Sequence, residues 1–225
     1  TDAKKVAEQY NFPHHVFDYQ DKFFNGVINK FVDSYANGET PVPCIQCNQT
    51  VKFSDLLKES QNLNADALIT GHYAIRKGGL RKSKLFKAKD KTKDQSYFLF
   101  ATLQDQLDYV RFPLGNYLKS EIRQMADDYN LLVSDKADSQ DICFVTSDSY
   151  RDLINKIQPD INKEGNIFDI NGNKIGTHKG IANYTVGQRK GVGVSGQNQP
   201  LYVKEVNKDQ NYIVLAPLES LKKNK

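Results

Sequence analysis

The stretch from Phe53 to Tyr73 most constrains the fold. Phe53, Leu56, Leu57 and Leu63 recur at helical spacing. The short apolar run Ala67-Leu68-Ile69-Thr70 follows, closed by Gly71-His72-Tyr73. A helix, a brief buried strand, then glycine and polar residues is the rhythm of an open parallel α/β sheet. Ligands of such sheets collect beyond the carboxyl ends of the strands, where Gly71 and His72 stand.

The flanking segments extend this reading. Residues 2–10 read as the end of a helix, broken at Asn11-Phe12-Pro13, and His14 to Tyr19 as a short strand. Phe24, Val27, Ile28, Phe31, Val32 and Tyr35 line one helical face, with Gly38 placed to end it. Pro41 and Pro43 predict an extended loop through Cys44 and Cys47. Ile122 to Tyr129 and Tyr150 to Ile157 repeat the helical spacing.

Beyond about residue 160 the pattern turns to strands. Asn166–Ile170, the turn Asn171-Gly172 and Asn173–Gly176 predict a hairpin, and Leu201–Val206 with Tyr212–Leu215 a second strand pair. The expected organisation is an α/β domain over 1–146 and a small β-rich domain over 147–225.

The 225 residues, with three cysteines and 39% hydrophobic content, exclude a disordered chain and a disulfide scaffold. No apolar run approaches the roughly 20 residues of a membrane span. An odd number of cysteines fits a reducing compartment, so a cytoplasmic protein without membrane association is expected. The formal charge of +4 is unevenly spread. Residues 1–75 carry net −3, residues 76–94 net +7 and residues 95–225 net zero. Basic excess at that density suits a phosphate backbone, and equally a solvated hairpin.

The cysteines leave three chemistries open. Cys44 and Cys47 form C-x-x-C, and Cys143 lies 96 residues after Cys47 in a polar stretch. Three cysteines fit an iron–sulfur cluster, while a closed zinc site wants four ligands. A C-x-x-C dithiol fits redox chemistry, though usually at the start of a helix. A nucleophile and a sulfur carrier drawn from two distant loops is the third.

Five motifs in order carry a family resemblance: T-P-x-P-C-x-x-C-N, A-D-A-L-I-T-G-H-Y, K-D-Q-S-Y-F-L, S-Q-D-I-C-F and G-Q-R-K-G. Together they resemble the bacterial tRNA-specific 2-thiouridylases, over nearly the whole chain. The resemblance implies a Rossmann-like, PP-loop ATP pyrophosphatase fold, here as an internal fragment. It lacks the N-terminal SGGxDS phosphate loop and the C-terminal barrel, and the fragment alone is expected to be inactive. On this reading 1–146 is a partial catalytic domain and 147–225 the tRNA-facing central domain.

The resemblance also implies an activity: replacement of uridine O2 by sulfur at the tRNA wobble position, with ATP and Mg²⁺, and a sulfur-carrier protein as donor. Cys47 becomes the nucleophile and Cys143 the persulfide carrier, joined in a transient disulfide. Gly71 lies against the nucleotide, and Val42, Pro43 and Cys44 meet the target base. Lys93, Asp94 and Gln95 contact tRNA, and Gln188, Arg189 and Lys190 are further candidate contacts. No metal ligand is assigned. A non-catalytic RNA-binding module, or a metal or redox protein using Cys44, Cys47 and Cys143, is the alternative.

Overall fold

The computed structural model describes all residues except 80, 137–141, 146–148, 197–198 and 222–225, and the side chain of residue 160. Two compact units emerge. One combines Thr1–Val27 with Pro43–Gln140, the other Ile28–Val42 with Asp141–Lys225. This division by packing is not a single cut near residue 147, because the segment 28–42 packs with the C-terminal part of the chain.

The first unit begins with helix α1 (Asp2–Tyr10), capped by the Thr1 hydroxyl and ended by left-handed Asn11. Residues 12–19 form no regular element, so the strand expected at His14–Tyr19 is absent. Its rings instead stack along one side of the chain, His15 on Phe17 and Phe17 on Tyr19. Helix α2 (Gln20–Phe23) then runs into a π-helical segment, Phe24–Ile28, and on into α3 (Asn29–Ala36).

The loop predicted around the cysteines is also corrected. Pro43 opens helix α4 (Pro43–Cys47), which continues through a π-helical segment, Asn48–Leu56, into α5 (Leu57–Asn62). Proline is welcome in the first helical turn, where its missing N–H would have had no partner. Strand β1 (Leu68–Ile69) pairs in parallel with β4 (Val110–Arg111). Among the described residues of this unit, that pairing is the parallel part of the sheet. The strand is less buried than expected, since Ile69 is 66% exposed.

Between these strands lie the hairpin β2 (Ala74–Lys77) and β3 (Lys84–Lys87), a 3₁₀ turn (Ser96–Leu99) and α6 (Gln104–Tyr109). Helix α7 (Lys119–Asp128) follows. The core of this unit joins Phe53 and Leu57 to Ala74, Leu99, Leu107, Val110 and Phe112. Gly115 is packed so closely that a Cβ would lie 1.8 Å from the Ala74 carbonyl oxygen.

The second unit has two cores. Phe31, Val32 and Tyr35 of α3 pack with Ile154 of α8 (Tyr150–Ile157) and with Ala182. Gly38, at φ +73°, follows α3 as the sequence suggests. Strands β5 (Gly165–Phe168), β6 (Lys174–His178), β7 (Tyr202–Asn207) and β8 (Tyr212–Ala216) form a sheet in the order β6-β5-β8-β7. β5 and β8 run parallel, and the other neighbours antiparallel. Ile167, Val203, Ile213 and Leu215 supply the sheet's buried face. Phe168 pairs with Lys174, so the hairpin loop is longer than the expected two residues, with Gly172 at positive φ.

Buried His178 braces this unit. Gly180 N–H donates to its Nδ1 at 3.1 Å, which places the ring proton on Nε2, 3.2 Å from the Asn211 carbonyl oxygen.

Candidate functional site

In the first unit, side-chain hydrogen bonds join three motifs that lie far apart in sequence. Gln95 binds both sides of Tyr73: its Oε1 accepts from Tyr73 N–H at 2.9 Å, and its backbone N–H donates to Tyr73 O at 2.8 Å. The segment after Gly71 is thereby fixed to Lys93-Asp94-Gln95. The turn following Gln95 accepts a further bond, from Asn48 Nδ2 to Phe98 O at 3.0 Å. Asn48 is buried and directly follows Cys47, so the C-x-x-C helix is tied to the same turn. Asn48 Oδ1 and the Tyr73 hydroxyl are buried here with no hydrogen-bond partner among the described residues.

Cys44 is exposed and Cys47 partly so, both within α4. Thr50 braces the helix by donating from its hydroxyl to Gln46 O at 2.8 Å. A helix-opening C-x-x-C is the setting that dithiol chemistry prefers, so the loop argument against it falls away. Pro43 is buried and Val42, of the second unit, is exposed. Exposed Cys143 also belongs to the second unit. None of the three cysteines takes part in a disulfide. Among the described residues no three His, Cys, Asp or Glu side chains gather as a metal-holding group.

Gly71 follows β1 and is exposed. A Cβ there would meet nothing nearer than Leu114 Cδ1 at 3.7 Å, an ordinary contact. Neither backbone conformation nor packing within the chain demands glycine at this point. His72 is packed rather than presented. Its ring sits 6.0 Å from both the Phe53 and Phe112 rings, and Nδ1 is 2.8 Å from the Thr70 hydroxyl. Burial, helped by nearby Lys52, pushes its pKa down to about 4, so the ring is neutral at pH 7.

Two of the other predicted contact residues also hydrogen-bond within the chain. Asp94 accepts from Ala88 N–H and from the Ser96 hydroxyl, both at 2.7 Å. Gln188 Oε1 accepts from Thr185 N–H and its Nε2 donates to Lys190 O. Arg189 and Lys190 beside it are exposed. Asn48 closes the first motif, and a polar side chain directly after C-x-x-C is the signal that marks it.

Two family models match the chain: a tRNA methyl transferase HUP domain over residues 1–147 and a tRNA methyl transferase PRC-barrel domain over 151–217. The chain belongs to the tRNA methyl transferase family. Three curated members are named tRNA-specific 2-thiouridylase MnmA. That from Wolbachia sp. subsp. Drosophila simulans is 50% identical over 224 residues, all of this chain and 60% of its own length. Those from Rickettsia massiliae and Dinoroseobacter shibae are each 49% identical over 98% of this chain, and over 60% and 58% of their own lengths. The chain thus spans about 60% of the length of these family members. The model descriptions and the members' names disagree over the group transferred, methyl or sulfur.

Proposed function

We propose that the protein carrying this chain is a tRNA-uridine 2-sulfurtransferase that makes 2-thiouridine at the wobble position. The observation that supports it most is the tethering of the C-x-x-C helix, the strand end at Gly71 and the Lys93–Gln95 segment by the Asn48 and Gln95 side chains. On this reading the glycine against the nucleotide, the tRNA-contacting segment and the nucleophile come from tethered stretches of backbone.

ATP with Mg²⁺ supplies the activation that turns uridine O2 into a leaving group. Gly71 fits it, because a Cβ there would meet only Leu114 Cδ1 at 3.7 Å, so no contact within the chain accounts for glycine. Val42, Pro43 and Cys44 meet the target base, and Lys93 binds tRNA phosphate. Asp94 and Gln95 act through the loop they hold together. Arg189 and Lys190 add exposed charge, and Gln188 shapes their turn.

Cys143, loaded as a persulfide by a sulfur-carrier protein, bonds its outer sulfur to uridine C2 as the activated oxygen departs. The Cys47 thiolate then attacks Cys143 Sγ. That breaks the S–S bond, leaves sulfur on the uridine and joins the two cysteines in a disulfide. A dithiol reductant returns the two electrons. The dithiol step belongs to a reducing, cytoplasmic setting.

The test uses the complete gene product. Cys143→Ser is expected to abolish 2-thiouridine, read by nucleoside analysis of tRNA, with ATP-dependent activation intact. Retained thiolation would falsify the persulfide role.

A further inference from the structure

The net +7 segment folds as the β2–β3 hairpin and the loop after it, and its cations divide into two groups. Arg76 is spent internally, donating to the carbonyls of Leu107, Gly78, Gly79 and Asp108. Lys89 pairs with Glu121 at 3.0 Å. Asp108 accepts from the backbone N–H groups of Lys82 and Ser83, which holds its carboxyl below the usual range and fixes the hairpin's far end.

The strand register sorts the residues of the hairpin. Ala74 and Leu85 face the core, whereas Ile75, Lys77, Lys84 and Phe86 share the opposite face. Lys77 and Lys84 are directly opposed and both exposed. Like charges in that register destabilise a hairpin, so the arrangement works against the fold taken alone. Phe86 is 42% exposed on the same face, with Lys77 Nζ 5.3 Å from its ring centroid. An aromatic ring bracketed by cations is the composition of a nucleic-acid stacking platform.

We propose that this outward hairpin face binds tRNA: an unpaired base stacks on Phe86, and the flanking phosphates lie on Lys77 and Lys84. The proposal rests on the tRNA reading above and gives it a surface. Ring and cations on one face favour unpaired RNA over a plain phosphate patch, because a base can stack on the ring while its phosphates meet the lysines.

The test is fluorescence anisotropy of a labelled tRNA transcript with the complete gene product, across a salt series. Lys77→Gln/Lys84→Gln is expected to lower the slope of log affinity against log salt by about 1.5, at somewhat under one per phosphate contact. Phe86→Leu, which keeps apolar bulk in the hairpin, is expected to weaken binding about 5- to 100-fold with the slope unchanged, the range for losing one stacked base. Lys58→Gln, on exposed helix surface elsewhere, should change neither. An unchanged slope in the double variant, or wild-type affinity in Phe86→Leu, overturns the platform while tRNA binding stands. No binding of tRNA by the wild type overturns the functional reading and the platform with it.

Discussion

Gly71 and Gly115 stand under different constraints within the chain. At Gly115 the demand is internal, since a methyl group would overlap the Ala74 carbonyl. At Gly71 the nearest atom to an added Cβ is 3.7 Å away, and the backbone is not left-handed. Gly115→Ala is therefore expected to destabilise the first unit by about 1–3 kcal/mol or more, the usual cost of overpacking. Gly71→Ala is expected to shift stability by less than about 0.5 kcal/mol, as surface changes do. It should nonetheless weaken ATP binding at least about tenfold, a displacement of roughly 1.4 kcal/mol. Urea midpoints and nucleotide titration of the same two variants separate the demands. A destabilised Gly71→Ala, or one with normal ATP affinity, would remove Gly71 from the nucleotide site.

Packing between elements explains His72. Its imidazole is wedged between Phe53, from the π-helical segment, and Phe112, after β4. Burial lowers its pKa from the ordinary 6.5 to about 4, so the folded form prefers the neutral ring. Stability from this group is full above pH 6.5 and is lost as pH falls from 6.5 toward 4, by on the order of 2–3 kcal/mol. His72→Gln cannot titrate. It is expected to start less stable at pH 7 but to show a flatter urea midpoint between pH 7 and 4.5, and an equally steep profile would acquit His72. Helices of clean period, such as α7 and α8, were legible from apolar spacing, as were β7 and β8 and the Gly172 hairpin. The two-residue β4 was not, because two residues carry no period. Nor were the π-helical turns, which local spacing does not announce. Pro41 and Pro43 misled because proline excludes helix interior but not a helix start. At the site, Gly71 and the cysteines stood out by residue type, whereas Asn48 and the Gln95 amide act through long-range hydrogen bonds that sequence order does not reveal.

At the scale of the molecule, the cysteines are divided between the two units, Cys44 and Cys47 in one and Cys143 in the other. The proposed reaction assigns them unequal tasks, and that inequality is measurable. On the proposed route sulfur reaches uridine C2 while still bonded to Cys143, so tRNA and protein would briefly be joined through an S–S bond. Only a second thiolate, that of Cys47, breaks it in the right place. Cys47→Ser removes that thiolate without removing the carrier. In a single turnover with persulfide-loaded protein and no added thiol, Cys47→Ser is expected to accumulate a covalent tRNA–protein adduct. The adduct should migrate as a shifted band on a denaturing gel and release 2-thiouridine tRNA when dithiothreitol is added. Cys143→Ser should form no adduct, and the double variant should behave like Cys143→Ser. Cys44→Ser should leave turnover chemistry intact while weakening the fit of the target base, raising KM more than it lowers kcat. If Cys47→Ser turns over without thiol and leaves no adduct, the sulfur does not travel by this route. If Cys44→Ser is the variant that traps tRNA, the resolving thiolate is the first cysteine of the motif and not the second.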